Sequence, residues 1–337
     1  MHQKRNISSW ILILCLVFFI TSILFAESGD PLSQWNKGAI KKTILSFIEK
    51  VCNKDSKSFV PLKDRIAVFD MDGTIICESP IWLEANAAQE YLWGEAVKNP
   101  ALLSTEIYKL AFDYHVAPKD PQTLQALQEN CEDIMTGAFT GWDQEKYVKY
   151  VDRFIRTVKN PDYKIPLQQT FYAPMLQLIE YLLKRNFQVY IVSGSEQGLM
   201  WGACMGTVPL PRQNLVGTLI ELTPKYRAEL HHTSFVRGGA YLKPRDLKAA
   251  KPEHIYYQIG KTPILAFGNT ADDFDMFLYT GTNHYSHIAF LVDHDDVERE
   301  YDYPDKVEKK IWKNAVEINK WNLVSMKDNF KTVFIKK

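Results

Sequence analysis

Arg65-Ile66-Ala67-Val68-Phe69-Asp70-Met71-Asp72-Gly73-Thr74 decides how the rest of the chain is read. The apolar run 66–69 fits a fully buried parallel strand. It stops on two carboxylates two residues apart, and Gly73 then allows a tight turn. Two acids at the end of a buried strand are costly to desolvate unless a cation or a substrate meets them there. In open α/β sheets that carboxyl edge is where ligands bind. A solvated Asp-x-Asp-Gly turn would look the same in isolation, so the remaining chain decides between them.

Downstream, residues 81–158 carry helical patterns and no convincing strand. Helices are expected over 81–97, 105–114, 121–136 and 142–158, separated by Pro100, Pro118 and the 137–141 turn. So long a helical stretch is too much for a simple crossover and reads as an inserted helical domain over the strand end. The α/β pattern then resumes. A helix over 174–186 is followed by a β-rich run, 187–192, that ends in Ser193-Gly194-Ser195. After a further helix come weaker strand candidates at 214–221 and 240–242. Lys251-Pro252 opens another helix. Short buried strands follow at 263–267, ending in Gly268-Asn269-Thr270-Ala271-Asp272-Asp273, and at 288–292, ending in Asp293-His294-Asp295-Asp296. Upstream, 31–53 reads as one amphipathic helix with Ile40, Ile44, Phe47, Ile48 and Val51 on its apolar face. Strands alternating with helices predict an α/β fold: a Rossmann-like, doubly wound parallel sheet with an inserted helical cap domain. The expected division is a core of 27–78 and 167–337 and a cap of 79–166.

The 337 residues hold 40 basic and 40 acidic side chains, so overall charge makes no case for nucleic acid. Residues 1–26 have the order of a secretory signal: Lys4 and Arg5, an apolar run from Trp10 to Phe25, then Ala26 before a polar start. Leu24 departs from the small residue preferred near a cleavage site. The expectation is export, most simply to the periplasm, with an uncleaved membrane anchor as the alternative. Cys52, Cys77, Cys131 and Cys204 show no zinc spacing. Export would permit disulfides, and buried free thiols are an equal reading.

Three strand ends thus carry polar signatures, with Lys251 shortly before the third. In a parallel sheet these groups converge on one edge. A carboxylate can attack phosphorus, and a second acid can protonate the leaving alcohol and then activate water. Serine and lysine can hold phosphoryl oxygens, and Mg²⁺ on oxygen ligands can offset the gathered negative charge. Taken singly, Ser193 could be a helix cap and Lys251 a surface lysine, with Lys243 and Lys248 as rivals for its role. His294, Asp295 and Asp296 read as a solvated loop rather than a ligand set. Trp82, Trp93 and Trp142 read as core.

The four signals together resemble the motifs of the haloacid dehalogenase superfamily, in order, over about residues 64–296. The helical insert is similar to the cap of its phosphoserine-phosphatase-like branch. The stretches 263–269, 292–301 and 324–327 resemble exported bacterial members. The resemblance implies Asp70 as nucleophile and Asp72 as acid/base, with Thr74 supporting the turn. It implies phosphate binding by Ser193 and Lys251, with Gly194 between the two serines, while Glu78, placed just after the first motif, is a candidate for substrate contact under the cap. It implies Mg²⁺ held by Asp70, Asp72 (through its main-chain carbonyl), Asn269 and Asp273. Asn269 stands where many members place an aspartate and brings no charge, which Asp272 could make good. The expected function is hydrolysis of a small phosphomonoester through an aspartyl-phosphate. Asp72 argues against dehalogenation, since a halide leaving group needs no acid. Phosphonate cleavage would want a cap lysine, and nothing marks Lys98 or Lys109. The non-enzyme alternative is a cell-envelope binding protein that retains the fold.

Overall fold

A computed structural model describes residues 29–118, 120–228, 231–303 and 306–335. The leader or anchor expected over 1–26 lies outside them. Among the described residues no helix is long and apolar enough to cross a membrane.

The strand read from the opening stretch is present. β1 (Ile66–Phe69) is buried along its whole length. Its side chains alternate, so Ala67 and Phe69 join one apolar cluster while Ile66 and Val68 join another on the opposite face. That two-sided burial makes β1 the centre of the sheet. β2 (Gln188–Glu196) pairs parallel to it on one side, and β3 (Leu215–Thr218) pairs parallel to β2. On the other side β6 (Leu265–Gly268) and β7 (Ile288–Asp295) follow, again parallel. β9 (Asn322–Ser325) pairs parallel to β7, and the two-residue β8 (Asp302–Tyr303) runs antiparallel beside the end of β7. The expected α/β sheet flanked by helices is what forms. Phe69, Phe267 and Phe290 lie in register across β1, β6 and β7, with ring centroids 5.1 and 4.4 Å apart. This stack sits one residue before Asp70 and ties the three strands together where the polar residues begin.

Helices Leu83–Lys98, Glu106–Val116, Pro121–Glu129, Cys131–Gly137 and Gln144–Thr157 fill the segment between β1 and β2. The helix expected over 121–136 is two, because Asn130 leaves helical geometry (φ −107°, ψ 14°) and its amide side chain bonds the Ala126 carbonyl. The N-terminal helix is shorter than expected, Ala39–Cys52. Before it the chain makes turns, and Trp35 pairs with Phe330 near the other terminus.

The largest departure lies between β3 and Lys251. A long antiparallel hairpin, β4 (Ile220–Arg227) and β5 (His232–Tyr241), occupies a stretch where only weak strand ends were expected. Its β4 strand is almost wholly exposed, so the in/out alternation that marks a half-buried strand is missing. The hairpin joins the helical insert through main-chain bonds between Gly141 and Arg237 and between Arg237 and Trp142, both 2.9 Å. Arg237 is buried and caught between Gln144 (2.7 Å) and Glu196 (3.1 Å). Glu196 also caps the helix Gln197–Ala203 through Gly198 and Leu199 N–H groups.

The cysteines Cys52, Cys77, Cys131 and Cys204 are unpaired, Cys77 and Cys204 buried. Of the three tryptophans expected in the core, Trp142 packs among Tyr91, Phe139 and Tyr150. Trp93 is half-buried and stacks on His115. Trp82 departs from the expectation: it is exposed and lines a cavity, since it precedes the first buried turn of its helix.

Candidate active site

The ends of β1, β2 and β6 converge, as a parallel sheet requires. Asp70 follows β1 directly, and its N–H donates to the Phe267 carbonyl at 2.9 Å. Lys251, in the first turn of the helix Ala250–Gln258, reaches across beneath it. Its Nζ donates to Asp70 Oδ1 and to Asp273 Oδ1, both at 2.6 Å, and to the Val192 carbonyl at 3.2 Å. With three acceptors at hand and only 2% exposure, Lys251 is no surface lysine. Its rivals are otherwise employed: Lys243 bridges Glu132 at the surface and Lys248 faces Asp272. Burial lowers the Lys251 pKa, but Asp273 and Asp70 outweigh that and keep it firmly charged. Burial pushes the Asp70 carboxyl up, against the pull of Lys251.

Asp273 is fixed by the sequence around it. Its Oδ2 accepts the N–H groups of Asn269 (2.9 Å) and Thr270 (3.1 Å) and closes a capping box with Thr270. The 268–273 loop is therefore wound onto Asp273, leaving Oδ1 for Lys251. Gly268 allows this, because a Cβ there would stand 2.3 Å from the Asp273 carboxyl carbon.

Asp72 points to the other side. Its Oδ2 accepts the Ser195 hydroxyl at 2.7 Å and the Ser193 hydroxyl at 3.4 Å. Its Oδ1 is buried without a hydrogen bond of good geometry among the described residues, and the Leu83 main-chain N–H is the donor near the carboxyl besides the serines. Burial raises the Asp72 pKa more than the serine bonds lower it. A buried carboxyl that holds its proton more tightly than usual suits a general acid. Ser195 was assigned no role from the sequence, yet strand alternation puts it on the same face as Ser193. β2 runs through Ser193, Gly194 and Ser195 rather than stopping before them, with an irregular register between Ser193 and Glu196. At Gly194 a Cβ would lie 2.1 Å from Leu247 Cδ2, so that loop packs against the strand only because no side chain is there.

Thr74, Glu78 and Asn269 form a third group. The Thr74 hydroxyl donates to Asn269 Oδ1 at 3.2 Å, and Asn269 Nδ2 donates to Glu78 Oε1 at 2.9 Å. Gly73 sits between them in the left-handed region, φ 75°, and a Cβ on it would meet Asn269 Nδ2 at 2.0 Å. Behind this group lies a residue expected to be solvated. His294 is only 1% exposed and bonds the Gly73 carbonyl at 2.8 Å. Asp296 is also buried, paired with Arg299. Asp295 is half-buried on the Ser325 hydroxyl and the Lys327 N–H. The polar run 293–296 is thus part of the interior, because β7 continues through it and β8 and the C-terminal segment cover it.

Asp70, Asp72, Glu78, Ser193, Gly194, Lys251 and Asn269 line one cavity of about 620 Å³. Its outer wall comes from Trp82, Glu84, Met135, Arg245 and Trp312. Glu84, bonded by the Tyr241 hydroxyl, is pushed up to about 7 by burial and by Glu196.

A family model for haloacid dehalogenase-like hydrolases matches residues 67–278. The chain belongs to this family. The match opens within β1 and closes after the 268–273 loop, so it brackets the three strand ends. No curated protein matches the chain. Among solved structures, it is similar to a conserved protein of unknown function from Anaerococcus prevotii, with TM-score 0.53, 13% identity, and 87% of this chain and 94% of that one covered. A HAD family hydrolase from Salmonella enterica serovar Typhi aligns with TM-score 0.39, 14% identity, and 80% and 71% coverage. A probable phosphoserine phosphatase from Vibrio cholerae aligns with TM-score 0.38, 14% identity, and 81% and 68% coverage.

In this hydrolase the donors near the strand end are oxygens: the Asp70 carboxylate, the Asp72 main-chain carbonyl and the Asn269 amide. Hard oxygen donors suit Mg²⁺. Among the described residues no three His, Cys, Asp or Glu side chains converge as a metal-holding group. Asp273 is occupied by Lys251 and two N–H groups, and the Asn269 amide is engaged at both ends. The residues fit a largely hydrated Mg²⁺ rather than a closed cage.

Proposed function

We propose that the protein is a Mg²⁺-dependent phosphatase that hydrolyses small phosphomonoesters through an aspartyl-phosphate on Asp70. The observation that supports this best is the Lys251 bridge, which sets a charged ammonium 2.6 Å from the Asp70 carboxylate while Asp72 stands two residues away. An Asp70 oxygen attacks phosphorus, and the bond to the leaving alcohol breaks as the new P–O bond forms. Asp72 gives its proton to the leaving oxygen. As a base it then takes a proton from water, which attacks the phospho-enzyme, releases phosphate and restores Asp70. Lys251 and Ser193, with the Gly194 main chain, hold phosphoryl oxygens, and Thr74 steadies the turn. Mg²⁺, when bound by Asp70, Asp72 and Asn269, with Asp273 behind them, lowers the repulsion between an anionic nucleophile and an anionic ester. Glu78 and the outer cavity wall face the leaving group.

Turnover of an aryl phosphate with and without Mg²⁺ tests the reading, and a panel of phosphate esters then narrows the substrate. The second reading, a cell-envelope protein that binds rather than turns over its ligand, is favoured by one observation: the Asn269 amide is held by Thr74 and Glu78 and adds no charge. Ester binding without turnover at any Mg²⁺ concentration would select it. We further propose export to the periplasm, on the pattern of residues 4–26, with membrane association only if that segment stays uncleaved. N-terminal sequencing of native protein should find a start near Glu27. An intact Met1 on cytosolic protein would refute export.

A further inference from the structure

Behind the strand end lies a polar network that the proposed chemistry does not use. His294, near the end of β7, presents its two ring nitrogens to two acceptors. Nε2 lies 2.8 Å from the Gly73 carbonyl, and Nδ1 lies 3.0 Å from Glu300 Oε2. A carbonyl oxygen can only accept, so Nε2 carries a hydrogen. Glu300 is itself surrounded by donors: the Tyr172 hydroxyl on Oε1 and the Tyr301 N–H on Oε2, both at 2.7 Å. Two donors aimed at one carboxylate favour its ionised form, and an ionised Oε2 3.0 Å away calls for a hydrogen on Nδ1 as well. The ring is then an imidazolium in the interior, paired with a buried carboxylate. The electrostatics agree. Burial alone would lower the His294 pKa, but Glu300, together with Glu78 and the Gly73 carbonyl, more than reverses it, and Glu300 in turn lies below its ordinary value against the effect of its own burial.

This ring reaches the working residues by two routes. Gly73 follows Asp72 directly, and its N–H donates to the Ile76 carbonyl at 2.7 Å. With its own carbonyl bonded to His294, Gly73 is fixed at both ends. The second route runs through Tyr303, whose hydroxyl lies 3.1 Å from Nε2 and also bonds Glu78. Of the other charged groups around it, Glu78 also favours the charged ring, and Lys309 Nζ bonds the His294 main-chain carbonyl at 2.8 Å and is itself paired with Asp302 and Asp293.

We propose that His294 is a positioning residue for the 70–74 turn: an imidazolium, held charged by Glu300, that clamps the Gly73 carbonyl and through Tyr303 orients Glu78. It touches neither nucleophile nor acid, and acts by fixing the peptide that follows Asp72. The catalytic consequence rests on the proposed roles of Asp70 and Asp72; the clamp itself does not.

Two measurements on the full protein test this. The first is ¹⁵N NMR of histidine-labelled protein at pH 8, with His294 assigned by its loss in His294→Asn. If that variant does not fold, contacts to the Tyr172 and Tyr303 rings assign it instead. The expected result is one imidazole with both nitrogens protonated and slowly exchanging hydrogens. A neutral His294 tautomer at that pH overturns the proposal, whatever the protein catalyses. The second is aryl phosphate turnover by His294→Asn and Glu300→Gln, below their melting temperatures. A clamp predicts kcat reduced about 30-fold or more with KM within about threefold, as for a small displacement of catalytic groups. Folded variants with unchanged kcat overturn it, even if they melt earlier. Should the parent itself show no turnover, the functional reading fails and the NMR signature alone decides the clamp.

Discussion

Lys251 Nζ stands 2.6 Å from Asp70 Oδ1 and 2.6 Å from Asp273 Oδ1, so a single buried ammonium joins the end of β1 to the loop that leaves β6. Neither carboxylate is comfortable without it. Removing the cation leaves two acids in the interior with their main counter-charge gone. Lys251→Met should therefore lower stability by about 3–5 kcal/mol, the usual effect of breaking a buried pair, and abolish measurable turnover. Lys251→Arg should not rescue, because a planar guanidinium cannot fill the place of a compact ammonium that meets three acceptors. Urea unfolding and aryl phosphate assays check both. A Met variant as stable as the parent would show that the bridge contributes nothing to the fold.

Asp246 is the opposite case. It is fully buried, and neither carboxylate oxygen has a hydrogen-bond partner among the described residues. Burial pushes its pKa well above the ordinary value, only partly opposed by Lys251. The sign follows from linkage. A carboxyl whose folded pKa is raised supports stability fully below the unfolded value of about 4 and loses that support as pH rises towards the folded value. Asp246→Asn removes the cost of keeping the group protonated. It should melt about 2–4 °C above the parent at pH 7.5, the shift expected for about 1 kcal/mol in a large domain. The gain should shrink towards pH 4. A variant that melts lower at every pH would mean that the carboxylate has a cation or water partner.

Asn269 gives a prediction about the metal. Its Nδ2 donates to Glu78 Oε1 at 2.9 Å, so Asn269→Asp replaces a donor with a second carboxylate at that distance. Without Mg²⁺ the variant should melt below the parent, since like charges this close repel. Added Mg²⁺ should stabilise the variant more than the parent, because a ligand that binds the folded state raises its melting temperature. Half-maximal Mg²⁺ should fall from the millimolar range, expected of a site with little protein charge, by about tenfold. Identical Mg²⁺ titrations by melting temperature would remove residue 269 from the ligand set.

The parts of this molecule legible in its sequence are those where a buried strand ends in polar residues. The apolar run 66–69 ending on Asp70 and Asp72 reads as β1, and the convergence of the later strand ends on it selects that reading over a solvated turn. Lys251 needed its partners to be recognised, since a buried lysine and an exposed one look alike in a sequence. Ser195 was read as part of the strand end but given no role, because Ser193 satisfied the expectation first. His294 and Asp296 were misread for a physical reason: a charged run is normally solvated, and only the covering by β8, Tyr172 and the C-terminal segment turns this one inward. The β4–β5 hairpin escaped because its outer strand is exposed and carries no alternation. No rule of local periodicity reaches contacts of that kind.

The central claim is that Asp70 takes up the phosphoryl group and Asp72 manages the protons. Rapid quench of Asp72→Asn with a ³²P-labelled aryl phosphate and Mg²⁺ tests it most directly. An aryl oxide leaves without much help from an acid, whereas hydrolysis of the phospho-enzyme needs a base. The account predicts a burst of protein-bound phosphate, stable to acid and released by hydroxylamine, followed by little turnover. The same experiment on Asp70→Asn, whose amide is a poor nucleophile, should give a folded protein and no label. Label that persists in Asp70→Asn, or that maps to Ser193 or Ser195, would contradict the account.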